Sequence, residues 1–145
     1  MCSVDDENIL RKLFIRSVGR VAPSWKITEA LNGERALELV RAQNNHYDLI
    51  FMDQYMPSSM QERPLLGTDV VKEIRRNVRG TPQTLICGLS ANEMQLEFYE
   101  AGADWFLLKP FPCDKAAFQN ELARFCNIRK LRDIGGGAEE TAPSL

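Results

Sequence analysis

The sequence predicts an α/β domain in which helices cover a parallel β-sheet. Segments with helical spacing of apolar residues alternate along the chain with short strand-like runs, an order typical of βα repeats. The run over 47–52 is apolar except for Asp48, as expected of a strand that is buried on both faces. The chain has 145 residues, the length of one ordinary domain, so a single core is expected.

Five elements are predicted in the first half of the chain. They are a short strand over 1–4, a helix over 9–18, a strand over 25–30, a helix over 34–42 and a strand over 47–52. The first helix is predicted from apolar residues with helical spacing, namely Ile9, Leu10, Leu13, Phe14 and Val18. The second helix follows a turn at Asn32 and Gly33, so helix and strand alternate regularly.

The second half of the chain continues this alternation. Its predicted elements are a helix over 69–78, a strand over 84–89, a helix over 93–101, a strand over 105–108 and a helix over 116–131. In the last helix, Phe118, Leu122, Phe125 and Cys126 share one face, and this face is expected to pack on the sheet.

The end of the chain differs in composition from the rest. After Arg132, glycine and small or polar residues dominate, and they cannot bury enough apolar surface to offset the entropy of ordering. We therefore predict one domain over 1–132 and a disordered tail over 133–145.

Composition excludes several classes of function. Eighteen basic and twenty acidic residues give a net charge of -2 without a basic block, so no direct contact with nucleic acid is expected. No apolar run is long enough to span a membrane and no signal peptide follows Met1, so we expect an intracellular, cytoplasmic protein. The cysteines, Cys2, Cys87, Cys113 and Cys126, lack zinc-site spacing and are interpreted as reduced, mostly buried thiols.

Polar residues suited to chemistry follow the predicted strands. Asp5 and Asp6 follow the first strand, and Asp53 follows the strand predicted over 47–52. Ser90 and Lys109 follow the last two strands. Because the carboxyl ends of parallel strands meet at one edge of a sheet, these five side chains are expected to converge on one crevice.

Three carboxylates in one crevice require compensating positive charge. Each pair of like charges 4 Å apart repels by about 4 kcal/mol at an effective dielectric constant near 20. Mg²⁺ accepts carboxylate oxygens as ligands, and Lys109 adds a permanent positive charge. A carboxylate neutralised in this way can attack phosphorus and form an aspartyl phosphate, so the set favours phosphoryl acceptance.

Four fragments at these strand ends resemble a known family. They are VDDE at 4–7, DLIFMDQYMP at 48–57, LSA at 89–91 and KPF at 109–111. Together, and in this order, they resemble the receiver domain of two-component response regulators and hybrid histidine kinases. The resemblance implies the flavodoxin-like (βα)5 fold of the chemotaxis receiver, a three-layer sandwich whose five-stranded parallel sheet has the order 2-1-3-4-5.

The resemblance also implies a magnesium-dependent phosphoacceptor site. Asp53 would take the phosphoryl group, and Ser90 and Lys109 would bind phosphoryl oxygens. The implied Mg²⁺ ligands are Asp5, Asp6, Asp53 and the backbone carbonyl of Tyr55. Ser90 and Phe106 would form the conformational switch, with Phe106 in place of a tyrosine that is common in the family.

The implied partners are those of a phosphorelay. The phosphoryl donor would be a phosphohistidine on a histidine kinase or a histidine phosphotransfer protein. The switch would regulate an effector domain or a homodimer through the face formed by helix 4, strand 5 and helix 5. Any enzymatic activity would be limited to aspartyl phosphorylation and dephosphorylation of the chain itself. A loop over 58–66, longer than the family usually has, would lie beside the site and can alter its kinetics and partner choice.

Three other functions compete with this interpretation. A degenerate receiver that acts only through protein contacts is disfavoured because Asp53, Ser90 and Lys109 are intact. A flavodoxin-like cofactor binder shares the sheet order, but Asp5 and Asp6 would repel its phosphate. A phosphatase of the haloacid dehalogenase type also uses an aspartyl nucleophile, but its Asp-x-Asp motif is absent from the first strand.

Simple structural roles also compete at single positions. Asp5 and Asp6 could be acidic residues that begin a helix, and Asp53 could be an ordinary turn residue. Ser90 could cap the following helix as well as bind a phosphoryl oxygen. His46 lies at the amino end of its strand, opposite the crevice, and is expected to be a surface residue.

Overall fold

The structure is a computed structural model that describes residues 1–42, 45–56, 65–78, 83–112 and 114–135. Within these residues, strands and helices alternate as the sequence predicts. The strands are β1 (Cys2–Val4), β2 (Thr28–Ala30), β3 (Leu49–Asp53), β4 (Leu85–Ser90) and β5 (Trp105–Leu108). The helices are α1 (Asn8–Val21), α2 (Gly33–Arg41), α3 (Gly67–Asn77), α4 (Gln95–Ala101) and α5 (Lys115–Gly135).

The strands form one parallel sheet in the order β2-β1-β3-β4-β5, which confirms the predicted fold. Although β1 has only three residues, it lies between β2 and β3 and is buried throughout. Met52 of β3 pairs with Val4 of β1, and Asp53 pairs with Leu89 of β4. This register brings the carboxyl ends of β1, β3 and β4 to the same edge of the sheet.

Helices cover both faces of the sheet. On one face, Ile50 and Met52 of β3 belong to a core shared with α2, α3 and α4. On the other face, Phe51 packs with α1 and α5, and its ring centroid lies 4.8 Å from that of Phe14. The strand β3 is therefore buried on both faces, as its apolar sequence predicts. Among the helices described, none has both the length and the apolar composition needed to cross a membrane.

Helix α1 forms where the spacing of its apolar residues predicts, but only some of these residues are buried. Ile9 and Leu13 are 72% and 52% exposed, whereas Arg11, Phe14 and Val18 are buried. Hydrogen bonds from the Arg11 guanidinium to a carbonyl and a carboxylate compensate for its burial. The buried side of α1 therefore includes a charged residue that apolar periodicity does not identify.

Several element boundaries differ from the predicted ones. The strand predicted over 25–30 begins only at Thr28, although Trp25 still packs against the core. The helix predicted from residue 93 begins at Gln95, and α5 continues to Gly135, past the helix end predicted at residue 131. Alternation and apolar content predict which residues are buried, but they do not show where hydrogen bonding between strands begins and ends. Predicted and observed ends therefore differ by a few residues. Residues 136–145 of the predicted tail and residues 58–64 of the loop predicted over 58–66 lie outside the described residues.

A glycine allows α4 to pack directly on β4. A Cβ atom on Gly88 would lie 2.3 Å from Cγ of Phe98, whose side chain is fully buried. The Phe98 ring in turn lies against Phe106 of β5, with 5.8 Å between ring centroids. The missing side chain at Gly88 therefore makes room for the ring that joins α4 to the last two strands.

We expect Gly88→Ala to lower the free energy of unfolding by about 1–3 kcal/mol, because the new methyl group overpacks the core against Phe98. Gly19→Ala is the matched control. Gly19 lies on the exposed side of α1, and a methyl group added there would meet no atom within 4 Å, so alanine should raise stability by about 0.5–1 kcal/mol. Urea unfolding of the three proteins measures both changes, and equal effects of the two substitutions would contradict this packing.

Candidate functional site

Three carboxylates meet at the carboxyl edge of the sheet. Asp5 and Asp6 follow β1, and Asp53 is the last residue of β3. One carboxylate oxygen from each of them lies within 4.8 Å of the others. Asp5 and Asp53 are only 3% and 7% exposed, whereas Asp6 faces solvent. The cluster therefore has two buried members that water screens poorly and one that remains accessible.

Lys109 neutralises the two buried carboxylates together. Its Nζ lies 2.8 Å from Oδ2 of Asp5 and 2.9 Å from Oδ1 of Asp53. The lysine is held in place by its own backbone, because its amide donates to the carbonyl of Ser90 over 2.8 Å. Through its ammonium and its backbone amide, Lys109 thus connects the ends of β1, β3, β4 and β5.

Burial and charge shift the pKa values in this cluster. Burial raises the pKa of Asp53 to about 6, although its hydrogen bond and ion pair with Lys109 favour the ionised form. Burial also opposes the charge of Lys109, but hydrogen bonds to Asp5 and Asp53 outweigh it and leave the lysine pKa above its ordinary value. Lys109 is therefore a permanent cation at neutral pH, and Asp53 is a carboxylate that readily accepts positive charge.

Ser90 ends β4, the strand next to β3. It is 1% exposed, and its neighbour Leu89 pairs with Asp53 across the sheet. The Ser90 hydroxyl oxygen accepts a hydrogen bond from the amide of Asn92 over 3.1 Å, which closes a short turn. Because α4 begins only at Gln95, the prediction that Ser90 caps this helix is wrong.

Phe106 lies one strand further along the sheet. It pairs with Gly88 of β4, is partly buried and packs against the core formed with α2, α3 and α4. Its contact with Phe98 links it to α4. The ring therefore lies between the sheet and α4, where a movement of the β4–α4 turn would change its contacts.

The start of α3 lies directly against the backbone of Asp53. A Cβ atom on Gly67 would lie 2.0 Å from the carbonyl oxygen of Asp53, so only glycine allows this approach. The buried Gln54 completes the joint: its Oε1 accepts from the amide of Thr68 over 3.0 Å, and its carbonyl accepts from the amide of Gly67. Tyr55 then pairs with Leu66 in an isolated antiparallel bridge.

Sequence reasoning did not identify Gln54 and Arg11 as parts of this region. Gln54 follows Asp53 directly, and its burial depends on a partner fourteen positions later in the chain. Arg11 donates to the carbonyl of Asp5 over 2.6 Å, but an arginine among the apolar residues of a helix gives no local signal of burial. A glycine at the start of α3 was the available signal for a close approach of backbones.

Other residues singled out from the sequence lie away from the site. His46 is exposed, and its Nε2 lies 3.5 Å from Oδ1 of Asp48 at the amino end of β3, as expected of a surface residue. Cys2, Cys87 and Cys126 are buried free thiols, as predicted, and burial raises the pKa of Cys2 to about 12. Cys113 lies outside the described residues.

The donor set fits a hard divalent cation. All three side chains of the cluster offer carboxylate oxygens, which Mg²⁺ prefers, and their oxygens are close enough to share one ion. Two of the three residues are buried, so water would weaken their attraction for a bound ion only slightly. The sequence-predicted residues Asp5, Asp6, Asp53 and Lys109 are therefore brought together at one place.

The raised pKa of Asp53 predicts a pH dependence of stability in protein freed of divalent metal. Because the folded state holds this proton more tightly than the unfolded state, Asp53 contributes stability that is complete below about pH 4 and lost as the pH rises through about 6. Relative to Asp53→Asn, the wild type should lose about 2–3 kcal/mol between pH 4 and 7.5, at about 1.4 kcal/mol per unit of pKa shift. Urea unfolding at stepped pH measures this difference, and a difference that does not vary with pH would contradict the raised pKa.

Comparison with known proteins places these features in a family. The model of the response regulator receiver domain matches residues 1–121. The transcriptional regulatory protein SrrA of Staphylococcus aureus is 32% identical over 108 residues, which cover 74% of this chain and 40% of SrrA. The chain thus spans about two fifths of the length of that relative.

Solved structures give the same result. The chemotaxis response regulator CheY4 of Vibrio cholerae is similar with a TM-score of 0.69 and 25% identity, over 86% of this chain and 95% of CheY4. The receiver domain of response regulator 1452 from Francisella is similar with a TM-score of 0.64 and 26% identity, over 90% of this chain and 96% of that domain. With its five-stranded fold, its strand-end residues and the match over residues 1–121, the chain belongs to the response regulator receiver domain family.

Proposed function

We propose that this receiver domain accepts a phosphoryl group on Asp53 from a phosphohistidine of a partner protein, in a reaction that depends on Mg²⁺. The observation that carries this proposal is the position of Lys109, whose ammonium contacts Asp5 and Asp53 at once within the carboxylate cluster. Such an arrangement holds a nucleophile beside fixed positive charge, as phosphoryl transfer requires.

Transfer would form one bond and break another at phosphorus. A carboxylate oxygen of Asp53 attacks the phosphorus atom, while the bond from phosphorus to the histidine nitrogen breaks and its electron pair returns to the imidazole. Asp53 must be ionised for this attack, and the ammonium of Lys109 favours that form. The same ammonium lies within reach of the oxygens that gain charge, so it stabilises the transition state.

Asp5, Asp6 and Asp53 would hold the metal ion, together with the backbone carbonyl of Tyr55. A bound Mg²⁺ would neutralise negative charge on the transferred oxygens. Asp5 is already held by Lys109 and by the amide of Glu7, which donates to its Oδ1 over 2.8 Å. Asp6 is exposed and suits a ligand that acts partly through water.

A new charge on Asp53 would be transmitted through Ser90 and Phe106. The Ser90 oxygen accepts from the Asn92 amide, so its own hydrogen can be donated to a phosphoryl oxygen. Movement of Ser90 towards the phosphate would draw the β4–α4 turn with it and change the space around the Phe106 ring. Since Phe106 contacts Phe98, this change reaches α4.

The proposed output surface is formed by α4, β5 and α5. Leu96 and Tyr99 of α4 and Leu108 of β5 expose apolar area there, at 66%, 38% and 45% exposure. Such area suits contact with an effector domain or a second receiver. The proposed phosphoryl donor is a histidine kinase or a histidine phosphotransfer protein, and phosphoryl transfer would take place inside the cell. A degenerate receiver is less well supported, because Asp53, Ser90 and Lys109 all lie at the same edge of the sheet.

Phosphorylation by acetyl phosphate tests the acceptor assignment. With Mg²⁺, the wild type should gain one acid-labile phosphoryl group in intact-mass measurements, and Asp53→Asn should gain none because an amide is a poor nucleophile. Asp48→Asn is the matched control, since Asp48 is exposed at the opposite end of β3 and should be phosphorylated normally. Lys109→Met should slow transfer by about 10²-fold, because it removes one fixed charge from the transition state. An unmodified wild type would favour the degenerate receiver, and a modified Asp53→Asn would place the acceptor elsewhere.

Amide hydrogen exchange tests the proposed switch. Addition of beryllofluoride and Mg²⁺ to the wild type should change protection mainly over residues 90–111, which include the β4–α4 turn, α4 and β5. Ser90→Ala should still bind the mimic but show a much smaller change, because the hydroxyl that reaches the phosphoryl oxygens is lost. Ser17→Ala, which removes a hydroxyl on α1 that donates to the Leu13 carbonyl, should behave as the wild type. Changes confined to α3 would contradict the role of Ser90.

A further inference from the structure

Arg11 is a buried cation beside the carboxylate cluster. It is 4% exposed and lies on the inner side of α1. Its guanidinium donates to the backbone carbonyl of Asp5 over 2.6 Å, to Oε2 of Glu29 on β2 over 2.9 Å and to Oδ1 of Asn8 over 3.1 Å. One side chain therefore joins α1, the end of β1 and β2.

These contacts fix Asp5 from several directions. The Asp5 amide donates to the carbonyl of Ala30 over 3.2 Å, and its carbonyl accepts from Arg11. Its carboxylate accepts from the amide of Glu7 and from Lys109, each over 2.8 Å. With both backbone polar groups held, the direction in which the Asp5 carboxylate leaves the main chain is set, and Arg11 supplies one of the two backbone bonds.

We propose that Arg11 is a positioning residue for the metal site: through the Asp5 carbonyl, it orients the Asp5 carboxylate towards the ion. This inference rests on the Mg²⁺ site proposed above, and Arg11 itself does not touch the ion or the phosphoryl group. Groups that orient a metal ligand in this indirect way typically contribute about 10–100-fold to metal affinity.

Because Arg11 is charged, its positioning role can be distinguished from its direct electrostatic effect on a bound cation. A guanidinium next to a cation site repels the cation, so its removal alone should strengthen Mg²⁺ binding. Loss of positioning should instead weaken binding. The sign of the change in affinity therefore distinguishes the two effects. Glu29 balances Arg11 in the present arrangement, and it is 47% exposed, so its carboxylate can return to solvent when Arg11 is replaced.

A second arginine, which is partly buried, provides a matched control. Arg75 of α3 donates to the carbonyls of Gly102 and Thr84 over 2.9 Å each, and to Oδ2 of Asp104 over 2.8 Å. It thus bonds to backbone carbonyls and a carboxylate as Arg11 does, but at the amino ends of β4 and β5, away from the cluster. Replacing Arg75 should cost stability without altering the metal site.

The test compares Arg11→Met with Arg75→Met, because methionine keeps the apolar stem and removes the donors. Calorimetric titration of Mg²⁺ should give a dissociation constant about tenfold higher for Arg11→Met than for the wild type, and an unchanged value for Arg75→Met. Arg11→Met combined with Glu29→Gln removes one charge of each sign and should keep the weakened binding. Arg11→Lys keeps the charge but has a single donor nitrogen, so it should restore part of the affinity, and it serves if Arg11→Met does not fold.

Amide exchange in the metal-free proteins gives a second readout. The Glu7 amide, which donates to the Asp5 carboxylate, should exchange faster in the Arg11 variants but not in Arg75→Met. An unchanged or lower dissociation constant in Arg11→Met, with unchanged exchange of Glu7, would overturn the positioning role. If the wild type binds no Mg²⁺, the proposed metal site is wrong, and the exchange of Glu7 alone then decides whether Arg11 orients Asp5.

Discussion

Repulsion between carboxylates at the carboxyl edge of the sheet is the constraint on which this structure depends. Asp5 and Asp53 are almost fully buried, so water screens their charges little and a cation has to compensate them. Lys109 does so with one ammonium, at 2.8 Å and 2.9 Å. Its amide donates to the Ser90 carbonyl, which holds the end of β5 next to that of β4. The strand order of the sheet thus also brings Lys109 to the two carboxylates whose charge it neutralises.

Asp53 is held by close packing on several sides. Asp53 ends a strand that is buried on both faces, and the start of α3 approaches its carbonyl so closely that position 67 must be glycine. The side-chain amide of Gln54 is bonded to Thr68 in the same joint. Phe106 of β5 is partly buried, and its ring lies 5.8 Å from that of Phe98 on α4. Side-chain packing thus joins β5 to α4, whereas a backbone approach joins the end of β3 to α3.

An arginine at each end of the sheet, Arg11 buried and Arg75 partly buried, ties a helix to the strands in a similar way. Arg75 ties α3 to the amino ends of β4 and β5 through two carbonyls and the carboxylate of Asp104, which is itself buried. Arg11 ties α1 to the ends of β1 and β2. A buried guanidinium is tolerated only when its donors are satisfied, so each arginine also fixes the backbone it binds. At the amino edge, Arg75 holds α3 against the starts of β4 and β5. At the carboxyl edge, Arg11 holds the main chain of Asp5, a member of the acidic cluster.

The sequence by itself determined the order of helices and strands, the parallel sheet and the convergence of Asp5, Asp6, Asp53 and Lys109. These follow from local periodicity and from one rule of topology, that parallel strands end at a common edge. Only the tertiary structure decided that Arg11 is buried while Ile9 and Leu13 are exposed, that Gln54 pairs with Thr68, and that Ser90 closes a turn instead of capping α4. The physical reason is that burial of a polar side chain depends on partners from other elements, such as Glu29, eighteen positions from Arg11, and no local pattern encodes such partners.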